Sequence, residues 1–330
     1  MHHFIFLKAS SCEMTTYMFH DYENTPDVFV INKVLPFSGK FNRLIGDAAT
    51  RFMNSRIFQA AYTIFLFILN PLKNVPVEKD SFYLLFLNIP SREFTANYLK
   101  HFLKKHPNCT PVMLFIDPID NYMSAYAHNL TKQIPQFLCM TYDPSDAQKY
   151  GYYHTMCIYS KYSLKETTPL YDIYFSFTGM NRLESVQAVT THFLENQVNA
   201  NIIIAGEPAH EQYIKEHTNG IHFLKSRKTY MDVLEDVSQS NCILEILQEG
   251  HSGTTLRYYE AICYNKKLLT NNKNIVNLPF YNPNYMKIFE KPEDIDCDWL
   301  KKREPVSYGY DNRFSPINLL EEIITLNSNS

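Results

Sequence analysis

Short runs of almost unbroken apolar residues punctuate this chain: FYLLFLNI at 82–89, VMLFI at 112–116, YDIYFSF at 171–177, NIIIA at 201–205 and NCILEIL at 241–247. A strand that is apolar on both faces must have both faces covered, the condition of a strand in a parallel sheet with helices packed on either side. Shorter runs at 1–8, 27–32, 137–141, 221–224, 267–270 and 286–289 read as further strands. The run at 1–8 is too short for a signal peptide and reads as the first strand of a domain. Helical patterns lie between the runs, at 41–69, 91–105, from about 183 to 196, at 230–239 and at 256–264, while 10–24 reads as loop. Strands alternating with helices predict an α/β fold built on open parallel sheets. At 330 residues the chain is long enough for two domains of ordinary size. The polar stretch SKYSLKETTPLY at 160–171, which carries Pro169, is the natural linker. The expected division is a first domain over 1–165, a second over 172–316, and a helix and tail over 317–330.

The strongest helical periodicity lies at 41–69. Phe41, Leu44, Ile45, Ala48, Ala49, Phe52, Ile57, Ala60, Ala61, Ile64 and Ile68 share one face, with Asn42, Arg43, Asp47, Arg51 and Arg56 on the other. Asn70-Pro71 stops the pattern. Apolar residues never run unbroken for the 18 or so positions that a membrane span needs. Two readings stay open: a core helix with a solvated face, or peripheral contact of 41–69 with the inner face of the cell membrane, Lys40, Arg43, Arg51 and Arg56 meeting anionic lipid.

Composition excludes several classes. A formal net charge of −3 supplies no basic excess for nucleic acid, so no nucleic-acid partner is expected. The seven cysteines form no C-x-x-C pair and read as reduced thiols of a cytoplasmic protein. The histidines form no H-E-x-x-H motif, so no metal site is expected. In open parallel sheets ligands gather past the carboxyl ends of strands. Asp117, Asp120, Asp143 and Asp146 fall there. A carboxylate in such a place can take a proton from a hydroxyl, whereas an Asp beside Pro is also an ordinary turn former. Asp143 is the first candidate for a catalytic base and Asp117 the second, with His20 and Asp21 behind them.

The run at 241–247 leads into the polar loop Gln248-Glu249-Gly250-His251-Ser252-Gly253-Thr254-Thr255, a helix at 256–264 and the strand at 267–270. Thr254 or Thr255 can cap that helix. A helix start preceded by glycines and hydroxyls offers free N–H groups and a positive dipole end to an anion. The loop is not a P-loop: it has no lysine before its Ser/Thr, and its glycine spacing differs.

The series strand, Glu249-Gly250, Gly253, a helix carrying Glu260-Ala261, then Lys266-Lys267-Leu268-Leu269-Thr270, resembles the donor-binding segment of GT-B glycosyltransferases. It is similar in particular to bacterial enzymes that build capsular polysaccharide, exopolysaccharide and lipopolysaccharide. The likeness covers roughly 172–290 and includes the FYNP stretch at 280–283; Glu249 and Glu260 stand further apart than in the commonest version of the pattern. The resemblance implies two Rossmann-like domains facing across a cleft and a last helix packing back on the first domain. It further implies transfer of sugar from a nucleotide sugar to a saccharide or lipid-linked saccharide acceptor, with no metal or other cofactor. Gly179 and Arg182 would face the donor diphosphate. Ser252, Gly253, Thr254 and Thr255 would hold the leaving group, Arg257 would neutralise it, and Glu260 would accept hydrogen bonds from the ribose. Arg227 and Tyr230 would lie near the base. Two rivals on the same fold stay open, a nucleotide-sugar hydrolase or epimerase and a non-catalytic nucleotide- or sugar-binding protein.

Overall fold

Every apolar run that reads as a parallel strand is one in the computed structural model, which describes residues 3–8, 13–32, 34–36, 39–76, 81–88, 90–165, 167–206, 208–247 and 253–328. The chain divides into two units, Met1–Ser160 with Arg313–Ser330, and Lys161–Asn312.

The first unit contains, in chain order, β1 (His3–Leu7), α1 (Glu13–Met18), β2 (Val28–Ile31), α2 (Gly39–Arg51), α3 (Arg56–Leu69), β3 (Phe82–Leu87), α4 (Ala96–Lys105), β4 (Cys109–Phe115), α5 (Tyr122–Gln133), β5 (Leu138–Thr141), α6 (Pro144–Tyr150) and β6 (Tyr153–His154). Its strands are parallel and ordered β2-β1-β3-β4-β5-β6. All six residues of β3 are buried, as its unbroken apolar sequence requires. Ile5, Leu84, Phe86, Met113 and Phe115 share a core with Tyr62 and Leu66 of α3, Leu99 of α4 and Leu130 of α5. Each large side chain taken wholly out of water in this way stabilises the fold by roughly 1.5–3 kcal/mol.

Several expectations are corrected here. Residues 41–69 are two helices rather than one, because the chain turns after Phe52 and the Ser55 hydroxyl caps α3 by accepting the N–H of Phe58. The stretch taken as loop at 10–24 holds α1 and a 3₁₀ turn, His20–Asn24. The helix expected from 91 begins with a separate 3₁₀ turn, Pro90–Glu93, after which Thr95 caps α4.

The second unit contains β7 (Tyr171–Thr178), α7 (Leu183–Glu195), β8 (Ala200–Ala205), α8 (Glu211–His217), β9 (Ile221–Leu224), α9 (Tyr230–Ser238), β10 (Ser240–Glu245), α10 (Leu256–Cys263), β11 (Lys267–Thr270), β12 (Met286–Ile288) and α11 (Cys297–Lys301). The order β12-β11-β10-β7-β8-β9, parallel throughout, is that of a dinucleotide-type doubly wound sheet. The last helix, α12 (Pro316–Ser328), belongs to the first unit. There Tyr22 Oη donates to the Pro316 carbonyl at 2.9 Å and Ser315 Oγ donates to Asp21 at 2.5 Å. Six cysteines among the described residues are free thiols.

In a doubly wound sheet the crevice that takes a ligand opens where the winding reverses. That point is between β1 and β3 in the first unit and between β7 and β10 in the second.

Candidate functional site

The reversal in the second unit is lined by two arginines. β7 ends at Thr178, and the turn beyond it needs Gly179, whose φ of +83° is open to few other residues. This turn brings Arg182 to the start of α7, above the rings of Phe175 and Phe177 at 5.8 and 5.7 Å. Its guanidinium donates to the carbonyl of Ile246, just past β10, at 3.0 Å and to that of Thr178 at 3.5 Å. Its Nε is buried without a hydrogen-bond partner, and no carboxylate pairs with it among the described residues. Burial, and then the nearby charge of Arg257, hold its pKa below the ordinary arginine value.

Arg257, in the first turn of α10, sits over the Tyr174 ring at 5.6 Å and donates to Ser176 Oγ at 3.0 Å. Tyr174 and Ser176 lie on the opposite face of β7 from Phe175 and Phe177, as the alternation of a strand dictates. The two guanidinium groups therefore approach the end of β7 from its two faces. Arg257 is ion-paired to Glu260 three residues on. Burial lowers its pKa, and the charge and hydrogen bond of Glu260 together with Tyr174 and Tyr230 more than reverse that, leaving it raised.

Glu260 is fully buried. One of its oxygens accepts from Arg257 and the other from Tyr230 Oη at 3.0 Å. It holds Arg257 and carries no exposed surface to offer a ribose, the role that the resemblance implies. Burial raises its pKa, with Arg257 and Tyr230 pulling the other way. Tyr230, itself buried, is thus a support for the arginine.

Sequence reasoning missed Glu245, the last residue of β10, which is also fully buried. It accepts the Thr255 and Thr270 hydroxyls, each at 2.5 Å. Burial raises its pKa against the pull of those two hydroxyls. Thr255 is the N-cap of α10, its Oγ1 accepting the Arg257 N–H at 3.2 Å. Glu245 therefore fixes the cap that fixes the helix start. The signal was present in the sequence: one charge inside the otherwise apolar run CILEIL. Thr254 is buried, its hydroxyl 3.2 Å from Tyr259 Oη, and Gly253 is buried beside it. Asn271 closes the base of the loop, its Oδ1 accepting the Leu247 N–H at 2.8 Å. Glu249, Gly250 and Ser252 lie outside the described residues. Among the described residues no hydrogen bond or ion pair ties Arg227 to this cluster, and Asp236, further along α9, pairs with Lys228.

In the first unit, Asp143 is the N-cap of α6: one oxygen accepts the N–H groups of Ser145 at 2.8 Å and Asp146 at 3.2 Å. It is 4% exposed, so its visible work is to start a helix. Asp146 accepts the Ile119 N–H at 2.8 Å, and Asp120 pairs with Lys149. Asp117 is half-buried and accepts from the Asn88 side chain at 3.1 Å. Asn88 lies just past β3, at the reversal of this sheet, and its amide also donates to Ser124 Oγ at 3.0 Å. Beside it, Arg92 is buried and paired with Asp47 at 3.0 Å. Glu93 is buried with one oxygen unpartnered, and burial pushes its pKa from 4.5 to about 7. Asp21 is engaged by Ser315, as described above, and His20 pairs with Glu23 at 3.2 Å.

No family model matches the chain, and no curated protein matches it by sequence. In fold it is similar to solved structures of sugar-transferring enzymes. One is T4 phage BGT in complex with UDP-glucose, at 13% identity and a TM-score of 0.38, over 91% of this chain and 88% of that one. A second is an alpha-glucosyltransferase in complex with UDP and a 13-mer DNA, at 11% identity and a TM-score of 0.48, over 82% of this chain and 81% of that one. A third is a trehalose 6-phosphate synthase from Burkholderia multivorans, at 10% identity and a TM-score of 0.43, over 84% of this chain and 74% of that one.

Proposed function

We propose that this protein is a GT-B-type glycosyltransferase whose second unit holds a nucleotide-sugar donor at the reversal between β7 and β10. The acceptor is a saccharide or lipid-linked saccharide in bacterial surface-polysaccharide synthesis. The observation that carries the reading is Arg182: a guanidinium with a buried, unpartnered Nε and no paired carboxylate among the described residues, set beside a second guanidinium at the end of a doubly wound sheet. Burying a donor without a partner costs about 1–3 kcal/mol, more for a charged group. A bound anion removes that cost.

In this reading the anion is the donor diphosphate. Glu249, Gly250 and Ser252 are assigned to the donor by the resemblance alone. The backbone of Gly253 and Thr254 and the positive end of α10 lie against the phosphates. Thr255, tied to Glu245, keeps that helix end in place, and Gly179 gives the chain its path to Arg182. Bond breaking at the anomeric carbon sends the electron pair to the diphosphate oxygen, where Arg182 and Arg257 stabilise the growing charge. Two fixed guanidinium groups can supply the positive charge that other transferases draw from a metal ion. The acceptor hydroxyl oxygen forms the new bond and gives its proton to a carboxylate of the first unit. Asp117 fits that task better than Asp143, whose oxygen is already committed to two backbone N–H groups.

The test is calorimetry with UDP, GDP, CMP and dTDP, without added metal, on the wild type and Arg182→Gln. One nucleotide binds, and the substitution weakens it by about tenfold to a hundredfold, the worth of one or two charge-assisted hydrogen bonds. If no nucleotide binds at millimolar concentration, or if Arg182→Gln binds as well as the wild type, the reading fails.

A further inference from the structure

Helix α3 has no polar face. Tyr62, Thr63 and Leu66 point inward: Tyr62 Oη donates to the Glu93 carbonyl at 3.0 Å, and Thr63 Oγ1 lies 2.7 Å from Thr95 Oγ1, while Gln59 Nε2 is buried without a hydrogen-bond partner. The outward face is made of Ile57, Ala60, Ala61, Ile64, Phe67 and Ile68. Three of these isoleucines keep 85%, 61% and 78% of their surface exposed, at positions 57, 64 and 68. Surface helices normally carry charge on that side, and a helix apolar all round is normally covered. At 14 residues α3 is about 21 Å long, by a rise of 1.5 Å per residue, short of a bilayer core. No helix of the described residues is long and apolar enough to cross a membrane.

The surroundings say what covers it. Between residues 39 and 76 stand Lys40, Arg43, Arg51, Arg56 and Lys73, against the single acid Asp47. Asp47 is paired with the buried Arg92. Arg51 and Arg56 flank the turn between α2 and α3, both exposed, and Phe52 between them is exposed as well. On the far side the ring of Phe67 meets His101 of α4 edge-on at 5.0 Å, and α4 turns Lys100 and Lys104 to solvent. An apolar stripe is thus rimmed by positive charge that no carboxylate pairs with among the described residues. A second copy of this chain fits it poorly, because a twofold contact would set basic rim against basic rim.

We infer that α3 and its basic rim dock on an anionic lipid bilayer, the exposed isoleucines entering the acyl boundary while Arg51, Arg56 and the neighbouring lysines lie among the headgroups. Apolar insertion and charge attraction act together, each weak alone. This surface is independent of the nucleotide site and stands or falls separately.

Flotation of the full chain with vesicles tests it, using phosphatidylcholine alone and phosphatidylcholine mixed with phosphatidylglycerol. The chain floats with the anionic vesicles at least about tenfold more than with the neutral ones, and high salt reduces the difference. Ile64→Asp with Ile68→Asp abolishes flotation. Arg51→Gln with Arg56→Gln lowers anionic binding by about tenfold or more and leaves neutral binding unchanged. All four positions are exposed, so the variants fold, and unchanged circular dichroism and nucleotide binding confirm it. The inference is overturned if the wild type floats with neither vesicle, or if both double variants float as it does. It is also overturned if the wild type ignores vesicles and instead forms a dimer by sedimentation velocity that Ile64→Asp with Ile68→Asp dissolves; the face is then a self-interface.

Discussion

The two units share a parallel six-stranded architecture but differ in winding, and the difference sets the charge at each reversal. In the second unit the strands beyond β9 are added on the other side of β7. Two guanidinium groups reach the crevice this creates, and among the described residues the one carboxylate paired with either is Glu260. In the first unit the reversal lies between β1 and β3, and the arginine there is neutralised by Asp47 and followed by an acid that burial keeps partly protonated. Among the described residues one crevice sets two guanidinium groups against one paired carboxylate, the balance that the proposed diphosphate site requires. The other has its arginine paired with Asp47 and adds the carboxyl groups of Asp117 and Glu93, so it carries no such excess. Near-identical folds acquire different ligand chemistry from two or three side chains at the ends of strands.

The comparison breaks most visibly at Glu260. Replacing it with Ala leaves Arg257 buried and unpaired, and such a loss costs about 3–5 kcal/mol. Denaturant unfolding of Glu260→Ala is expected to show a cost of that size in the transition of the second unit. Glu260→Met together with Arg257→Met recovers most of it, since an apolar pair of similar volume removes both charges. A cost below about 1 kcal/mol for the single change would mean that the guanidinium reaches water.

Glu93 sharpens the same contrast from the other unit. Its pKa rises on folding from 4.5 to about 7, so the folded chain binds the proton more tightly than the unfolded chain. The stabilisation is fully present below pH 4.5, declines through the window 4.5–7 and is gone above it. Relative to acid conditions the loss is about 3 kcal/mol at pH 8, at 1.36 kcal/mol per pKa unit. Glu93→Gln should flatten that part of the stability–pH curve, as measured by urea unfolding from pH 5 to pH 8. An unchanged curve would place the proton elsewhere.

A smaller effect attends Thr255→Val. It removes the N-cap of α10 and leaves Glu245 one donor short, an expected loss of about 1–2 kcal/mol in thermal or urea unfolding. Nucleotide affinity should fall with it, because the helix end that lies against the phosphates loses its anchor. Stability lost with affinity kept would separate the cap from the site.

What the sequence made legible was the framework. Continuous apolar runs located the strands because burial on both faces leaves no polar alternation to misread. Runs such as 221–224 and 267–270 fall where β9 and β11 stand. α5 escaped because Ser124 and Thr131 sit on its buried side, so its apolar period is broken by groups that hydrogen-bond inside the unit. The break between α2 and α3 escaped because apolar spacing continues through it, and that spacing also hid the exposed face of α3. In the site, Arg182, Arg257 and Glu260 were marked by the resemblance to the donor-binding domain of GT-B glycosyltransferases. Their partners were not: Ile246 lies 64 residues from Arg182, and Ser176 lies 81 from Arg257. Only the winding of the sheet brings such pairs together.

The least costly substitutions decide between the two aspartates of the first unit. Asp143 caps α6 with one oxygen, so Asp143→Ala should cost about 1 kcal/mol in thermal unfolding, while Asp143→Asn, which caps as well, should cost almost nothing. Asp117→Asn keeps a side-chain oxygen for the Asn88 amide and should also be neutral for stability. Turnover separates them. With nucleotide binding intact in both, loss of sugar transfer in Asp117→Asn but not in Asp143→Asn assigns the proton to Asp117. The reverse result would mean that Asp143 serves as cap and base at once, its second oxygen facing the acceptor. If both variants keep turnover, the base is a third group, and Glu93, with an unpartnered oxygen at the reversal of the same sheet, is the next to replace.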